Sequence, residues 1–160
     1  MLLDIHFSWT LVLIDVVLYV ILQTCRIWAD VILPQHWFDP SHALFRTRPW
    51  ELEGRFYQRY FHIRHWKDKL PTVDGCNHFS KRSLDSKSPE YLRRFIFETC
   101  RAESHHLRSI LETTLFLIWN PPWLFIIIWL ISLSLHLPCI FVQRYNRPRM
   151  QKVLEQISQD

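Results

Sequence analysis

Glycine is almost missing from this chain, with 2 residues in 160. Turns that need positive φ must therefore be few, which excludes a turn-rich β fold and favours long helices. No G-x-S-x-G elbow, no phosphate-binding glycine loop and no histidine followed five positions later by aspartate is present. Those absences remove the common serine-hydrolase, nucleotide-binding and glycerolipid-acylating signatures. The four cysteines, Cys25, Cys76, Cys100 and Cys139, form no C-x-x-C pair and read as reduced structural thiols. His62-x-x-His65 and His105-His106 resemble the histidine boxes of membrane di-iron enzymes, but the other histidines are scattered. A histidine-rich membrane metalloenzyme is thus a minor alternative, and no metal site is expected.

What the chain has instead is apolar and aromatic sequence, 49% and 15% of residues. The first apolar run covers residues 5–33. Its leading Met1-Leu2-Leu3-Asp4 lacks the basic residues of a signal peptide and no A-x-A site follows, so it is expected to be a retained transmembrane helix. Asp15 would lie at hydrocarbon depth, protonated and bonded to a neighbouring helix, or lining a cavity. Residues 34–88 are broken by Pro34, Pro40, Pro49 and Pro71, with Asp74-Gly75 as a turn. Within them, Trp50 to Trp66 is dense in aromatics and arginine, which suits an amphipathic segment in the headgroup layer. Ser88-Pro89-Glu90 starts a long helix over 89–119 that enters the membrane, and Asn120-Pro121-Pro122 ends it. Residues 123–142 form another transmembrane helix, with a kink expected at Pro138, and 143–160 a cytoplasmic tail.

The expected fold is an all-α integral membrane protein, a single membrane domain with about three membrane-embedded helices. The middle one is short and carries Glu112, so a hairpin that enters and returns is the other possibility. Between Pro34 and Arg108 there are 14 Lys or Arg against 9 Asp or Glu, and Arg144, Arg147, Arg149 and Lys152 follow the last apolar run. This asymmetry puts those segments at the cytoplasmic leaflet of a cell membrane and the N-terminus outside. Beside such apolar runs, the basic residues point to lipid and not to nucleic acid.

Three clusters carry chemistry. Glu98, Arg101, His105, Arg108 and Glu112 follow spacings of 3, 4, 3 and 4 and share one helix face, with Glu103 and His106 on neighbouring faces. A histidine beside a carboxylate is a general-base arrangement, although charged helix faces are more often only solvated. The second cluster, His62 to Lys69, includes His65, Trp66 and Lys67 and suits a phosphate group or a membrane surface. The third is Gln143-Arg144-Tyr145-Asn146-Arg147-Pro148-Arg149, more varied than a stop-transfer signal needs. It is expected to bind substrate.

At these clusters the chain resembles the glycosyl-4,4'-diaponeurosporenoate acyltransferases of bacterial carotenoid synthesis. The resemblance rests on Arg64-His65-Trp66-Lys67-Asp68-Lys69-Leu70, on Glu98 to Glu103 with His106, and on Pro138 through Arg149. It implies transfer of a fatty acyl group to the glucose 6-position of a carotenoid glycosyl ester or a similar glycolipid. The donor would be acyl-CoA or an acyl carrier protein, with no other cofactor. The partners are then the bilayer, the glycosylated acceptor and the acyl donor. The resemblance places the base at His106 with Glu103, whereas the shared face favours His105 with Glu98; the oxyanion donor would be Arg101, Gln143 or Asn146. Arg144, Arg147 and Arg149 would hold the donor's phosphates. A non-catalytic membrane scaffold is the alternative outside enzymology.

Overall fold

A computed structural model describes residues 8–70 and 88–159, and every regular element among them is helical. The turn expected at Asp74-Gly75 and Cys76 lie outside the described residues. Four α-helices are present: α1 (Trp9–Ile32), α2 (Arg55–Phe61), α3 (Pro89–Thr113) and α4 (Pro122–Ile157). Ser8 caps α1 by accepting a hydrogen bond from the Thr10 amide at 3.2 Å, and Ser88 caps α3 in the same way from the Tyr91 amide at 3.2 Å. Beyond Thr113 the chain tightens into a 3₁₀ turn over Thr114–Ile118 and breaks at Asn120-Pro121. The chain divides into two compact units, residues 1–33 with 105–137, and residues 34–104 with 138–160.

The first unit is apolar outside and polar within. α1 and α4 are both long and apolar enough to cross a membrane, yet only 11% and 17% of their apolar stretches are buried. Leu13, Val17, Ile21 and Trp28 on α1 and Leu130, Ile131 and Leu135 on α4 face outward. A soluble protein seldom leaves so much contiguous apolar surface uncovered. Inward, α1 carries Asp15, Tyr19, Gln23, Arg26 and Asp30, spaced 4, 4, 3 and 4 and hence on one face. Each meets a polar partner: Trp119 donates to Asp15 at 2.7 Å, Tyr19 meets His136 at 2.9 Å, Ser109 donates to Gln23 at 2.9 Å, and Arg26 pairs with Glu112. Asp30 takes His105 and Arg108. The second half of α3 and its 3₁₀ turn thus run antiparallel to α1 from Asp30 to Asp15, about 22 Å at helical rise. Thr113 and Ser132, 2.9 Å apart, tie α3 to α4.

The second unit is held by charge as much as by its core of Tyr57, Ile63 and Tyr145, against which Phe56, Trp66, Phe141 and Val142 pack. Leu52, Glu53 and Gly54 are consecutively left-handed, with φ of 50°, 57° and 87°. Such a backbone costs about 1–2 kcal/mol at each non-glycine residue. A buried Glu51 pins it, accepting from the Arg48 amide at 2.6 Å, the Tyr57 hydroxyl at 2.5 Å and Arg144 at 2.8 Å. Gly54 is also sterically required, since a Cβ there would lie 2.8 Å from the Tyr145 carbonyl oxygen. Among the aromatics of residues 50–66, Tyr57 is buried, while Trp50, Tyr60 and Phe61 are exposed.

α4 continues through Pro138 and Pro148 to Ile157. The residues expected to form a tail after 142 are therefore mostly helix. Each proline removes one backbone hydrogen bond. Around Pro148 the burial of Tyr145 and Arg147 offsets that loss, a tertiary effect no local propensity reports.

Candidate active site

In the first unit, adjacent histidines of α3 receive different partners. His105 Nδ1 lies 2.7 Å from Asp30 Oδ2, and Arg108 bonds the other oxygen of that carboxylate. Asp30 is buried, and His105 is half-buried. A carboxylate on Nδ1 fixes the imidazole tautomer, presents Nε2 as the proton acceptor and stabilises the imidazolium that forms. His106 Nδ1 instead meets His136 Nδ1 at 3.0 Å, and His136 Nε2 meets the Tyr19 hydroxyl at 2.9 Å. The rings of His105 and His106 are 5.3 Å apart and nearly perpendicular.

In the second unit, Glu103 accepts from Arg144 Nε at 2.7 Å through one oxygen and from Arg147 through the other. The carboxylate expected to orient His106 is thus committed to two guanidiniums. Arg144 also bonds Glu51 and the Leu44 carbonyl at 2.7 Å, and Arg147 the Thr99 hydroxyl at 3.0 Å and the Phe45 carbonyl at 2.6 Å. Two arginines and two glutamates form a neutral quartet, with Arg147 only 1% exposed. Burial, reinforced by the bond to Glu51, pushes the Tyr57 hydroxyl well above the ordinary tyrosine range. Burial pushes the Cys100 thiol up to about 11, which disqualifies it as a nucleophile at neutral pH.

Glu98 pairs with Arg94 at 2.8 Å and with Arg101 at 2.7 Å. The face read from the spacing is therefore divided, Glu98 and Arg101 lying in one unit and His105, Arg108 and Glu112 in the other. Of the second cluster, His65 is exposed, Trp66 donates to the Phe61 carbonyl at 2.8 Å, and Lys67 pairs with Asp68 at 2.5 Å. Tyr145 accepts from Arg64 at 2.8 Å, and the exposed Arg149 places its guanidinium 4.8 Å from the Tyr145 ring centre. Gln143 and Asn146 are half-buried, and Gln143 Oε1 finds no hydrogen-bond partner among the described residues.

The profile of the glycosyl-4,4'-diaponeurosporenoate acyltransferase family matches residues 34–156. The chain belongs to that family. It is an acyltransferase, and the scaffold alternative falls away. Relatives with the same description occur in Staphylococcus aureus strains bovine RF122 / ET3-1, MRSA252 and N315. Each is 32% identical over 126 residues, covering 76% of this chain and 74% of the relative. No solved structure matches.

Within this acyltransferase both histidines, Glu103 and the Gln143–Arg149 segment fall inside the matched region, but α1 does not. Sequence reasoning missed the residues that α1 contributes, above all Asp30, Tyr19 and Arg26. It also gave His136 and Glu51 no role. The signal was present in α1: five polar residues at helical spacing within an apolar helix imply a polar neighbour for each. Glu51 had no comparable signal, because its partners are up to 93 residues distant.

Proposed function

We propose that this acyltransferase esterifies a fatty acyl group onto a sugar hydroxyl of glycosyl-4,4'-diaponeurosporenoate or a similar glycolipid. The glucose 6-position is the acceptor, and the reaction completes a staphyloxanthin-like pigment. The name carried by the relatives supports the acceptor class. The Asp30–His105 contact, set among the inward polar residues of the first unit, carries the chemistry. His105 Nε2 takes the hydroxyl proton as the oxygen attacks the carbonyl of an acyl thioester. The thiolate then leaves and takes that proton from His105, so no acyl-enzyme is needed. A base of this kind contributes about 10²- to 10⁴-fold in rate.

The protein is a multi-pass protein of the cell membrane, and its chemistry lies near the cytoplasmic leaflet. The uncovered apolar faces of α1 and α4 support this, and the α3 segment that accompanies α1 from Asp30 to Asp15 is the third embedded stretch. Arg144 and Arg147 are already neutralised by Glu51 and Glu103, and Lys67 by Asp68, so the donor's phosphates fall to the exposed Arg149. Purified protein in liposomes, supplied with the glycosylated carotenoid and labelled acyl-CoA or acyl carrier protein, tests the reading. Label should appear in a sugar ester, identified by mass spectrometry. Label that stays in both donors would overturn the proposal.

A further inference from the structure

Two adjacent histidines in one interior do not need the same role, and their partners separate them. Nδ1 of His105 meets a carboxylate, while Nδ1 of His106 meets another imidazole. Between two Nδ1 atoms 3.0 Å apart, only one can carry the proton. Tyr19 decides which one. Its hydroxyl has His136 Nε2 as its acceptor, and a half-buried phenol O–H left without an acceptor is penalised. Tyr19 therefore donates to Nε2, which leaves His136 with its proton on Nδ1. That N–H donates to His106 Nδ1, so the proton of a neutral His106 is on Nε2.

We propose that His106 is the oxyanion donor of the acyl transfer, its Nε2–H fixed by His136 and Tyr19 as positioning residues. This rests on the acyl-transfer reading and adds to it a division of labour between the histidines. As the sugar oxygen bonds to the thioester carbon, the carbonyl π pair moves onto oxygen and the His106 N–H stabilises it without transferring a proton. The hydroxyl proton goes to His105 Nε2 and passes on to the sulfur when the C–S bond breaks. Ring centres 5.3 Å apart suit a base and a donor that address neighbouring oxygens of one tetrahedral intermediate. A neutral imidazole donor also avoids bringing a second positive charge beside the imidazolium that forms at His105.

The test is a set of kcat and KM measurements on the full chain in liposomes with acyl-CoA and the glycosylated carotenoid. Losing an oxyanion donor costs about 10²- to 10³-fold in kcat. His106→Ala should fall in that range, and His106→Gln, which keeps an N–H, should recover at least about tenfold of it at unchanged KM. His105→Gln should recover nothing over His105→Ala, because an amide is no base. Tyr19→Phe should lower kcat several-fold by freeing the His136 tautomer, yet have no further effect in the His106→Gln background, where no tautomer matters. The inference is overturned if His106→Gln is as slow as His106→Ala, or if the Tyr19→Phe loss persists undiminished in the His106→Gln background. A wild-type protein that transfers no acyl group would sink the underlying reading as well, which separates the two failures.

Discussion

Replacing Glu103 by Gln should act on folding first and on catalysis only in consequence. The side chain is fully buried, and its two oxygens are shared between Arg144 and Arg147. In the variant the quartet keeps both guanidiniums but only the Glu51 carboxylate. Arg147, 1% exposed, then has no anionic partner. Removing one partner of a buried ion pair costs about 3–5 kcal/mol, because the remaining charge stays desolvated. At about 2–4 °C per kcal/mol for a chain of this size, the melting temperature should fall by roughly 6–20 °C. Circular dichroism or dye-monitored melting in detergent reads this directly. Adding Arg147→Met, which restores neutrality at similar volume, should recover a large part of the loss. The opposite pattern, an unchanged melting temperature with kcat reduced by about 10²-fold or more, would mean that Glu103 serves a catalytic base instead. It would refute the structural assignment and restore the Glu103–His106 pairing that the family resemblance implies.

Gly54→Ala should destabilise the second unit by more than about 1 kcal/mol, since φ is 87° and the added Cβ would press on the Tyr145 backbone; thermal melting measures it, and an unchanged melting temperature counts against the left-handed turn. In a variant with Cys25, Cys76 and Cys139 replaced by Ser, a maleimide at neutral pH should label Cys100 at least about a hundredfold more slowly than in denaturant, because burial both raises its pKa to about 11 and blocks access. A cysteine appended to the C-terminus should resist impermeant reagents added outside intact cells, and efficient labelling there would invert the topology.

The helices were legible because their signals are local. Ser88-Pro89 announces a start and Asn120-Pro121 a stop, and both appear in the structure. The helical course of residues 143–157 was not legible, since Pro148 argues locally against it and burial of Tyr145 and Arg147 holds it. The histidine pair was found in the sequence, but its partners were sought on the same helix. Spacing can show that Glu98 and His105 share a face; it cannot show that Arg94 and Arg101 take Glu98 while Asp30, 75 residues away, takes His105. Of the arginines in the Gln143–Arg149 segment, the sequence does not show that Arg144 and Arg147 have neutralising partners, because Glu51 and Glu103 come together with them only in the folded chain.

The central claim is that a histidine held by Asp30 deprotonates the sugar hydroxyl, and one rate comparison tests it most directly. Wild-type and His105→Ala proteins, inserted and folded equally by helical content and melting, are given saturating acyl thioester and glycosylated carotenoid in liposomes, and the initial rate of ester formation is measured. The account predicts that His105→Ala lowers kcat by about 10²- to 10⁴-fold with KM little changed. A His105→Ala protein that esterifies the acceptor at the wild-type rate would contradict it.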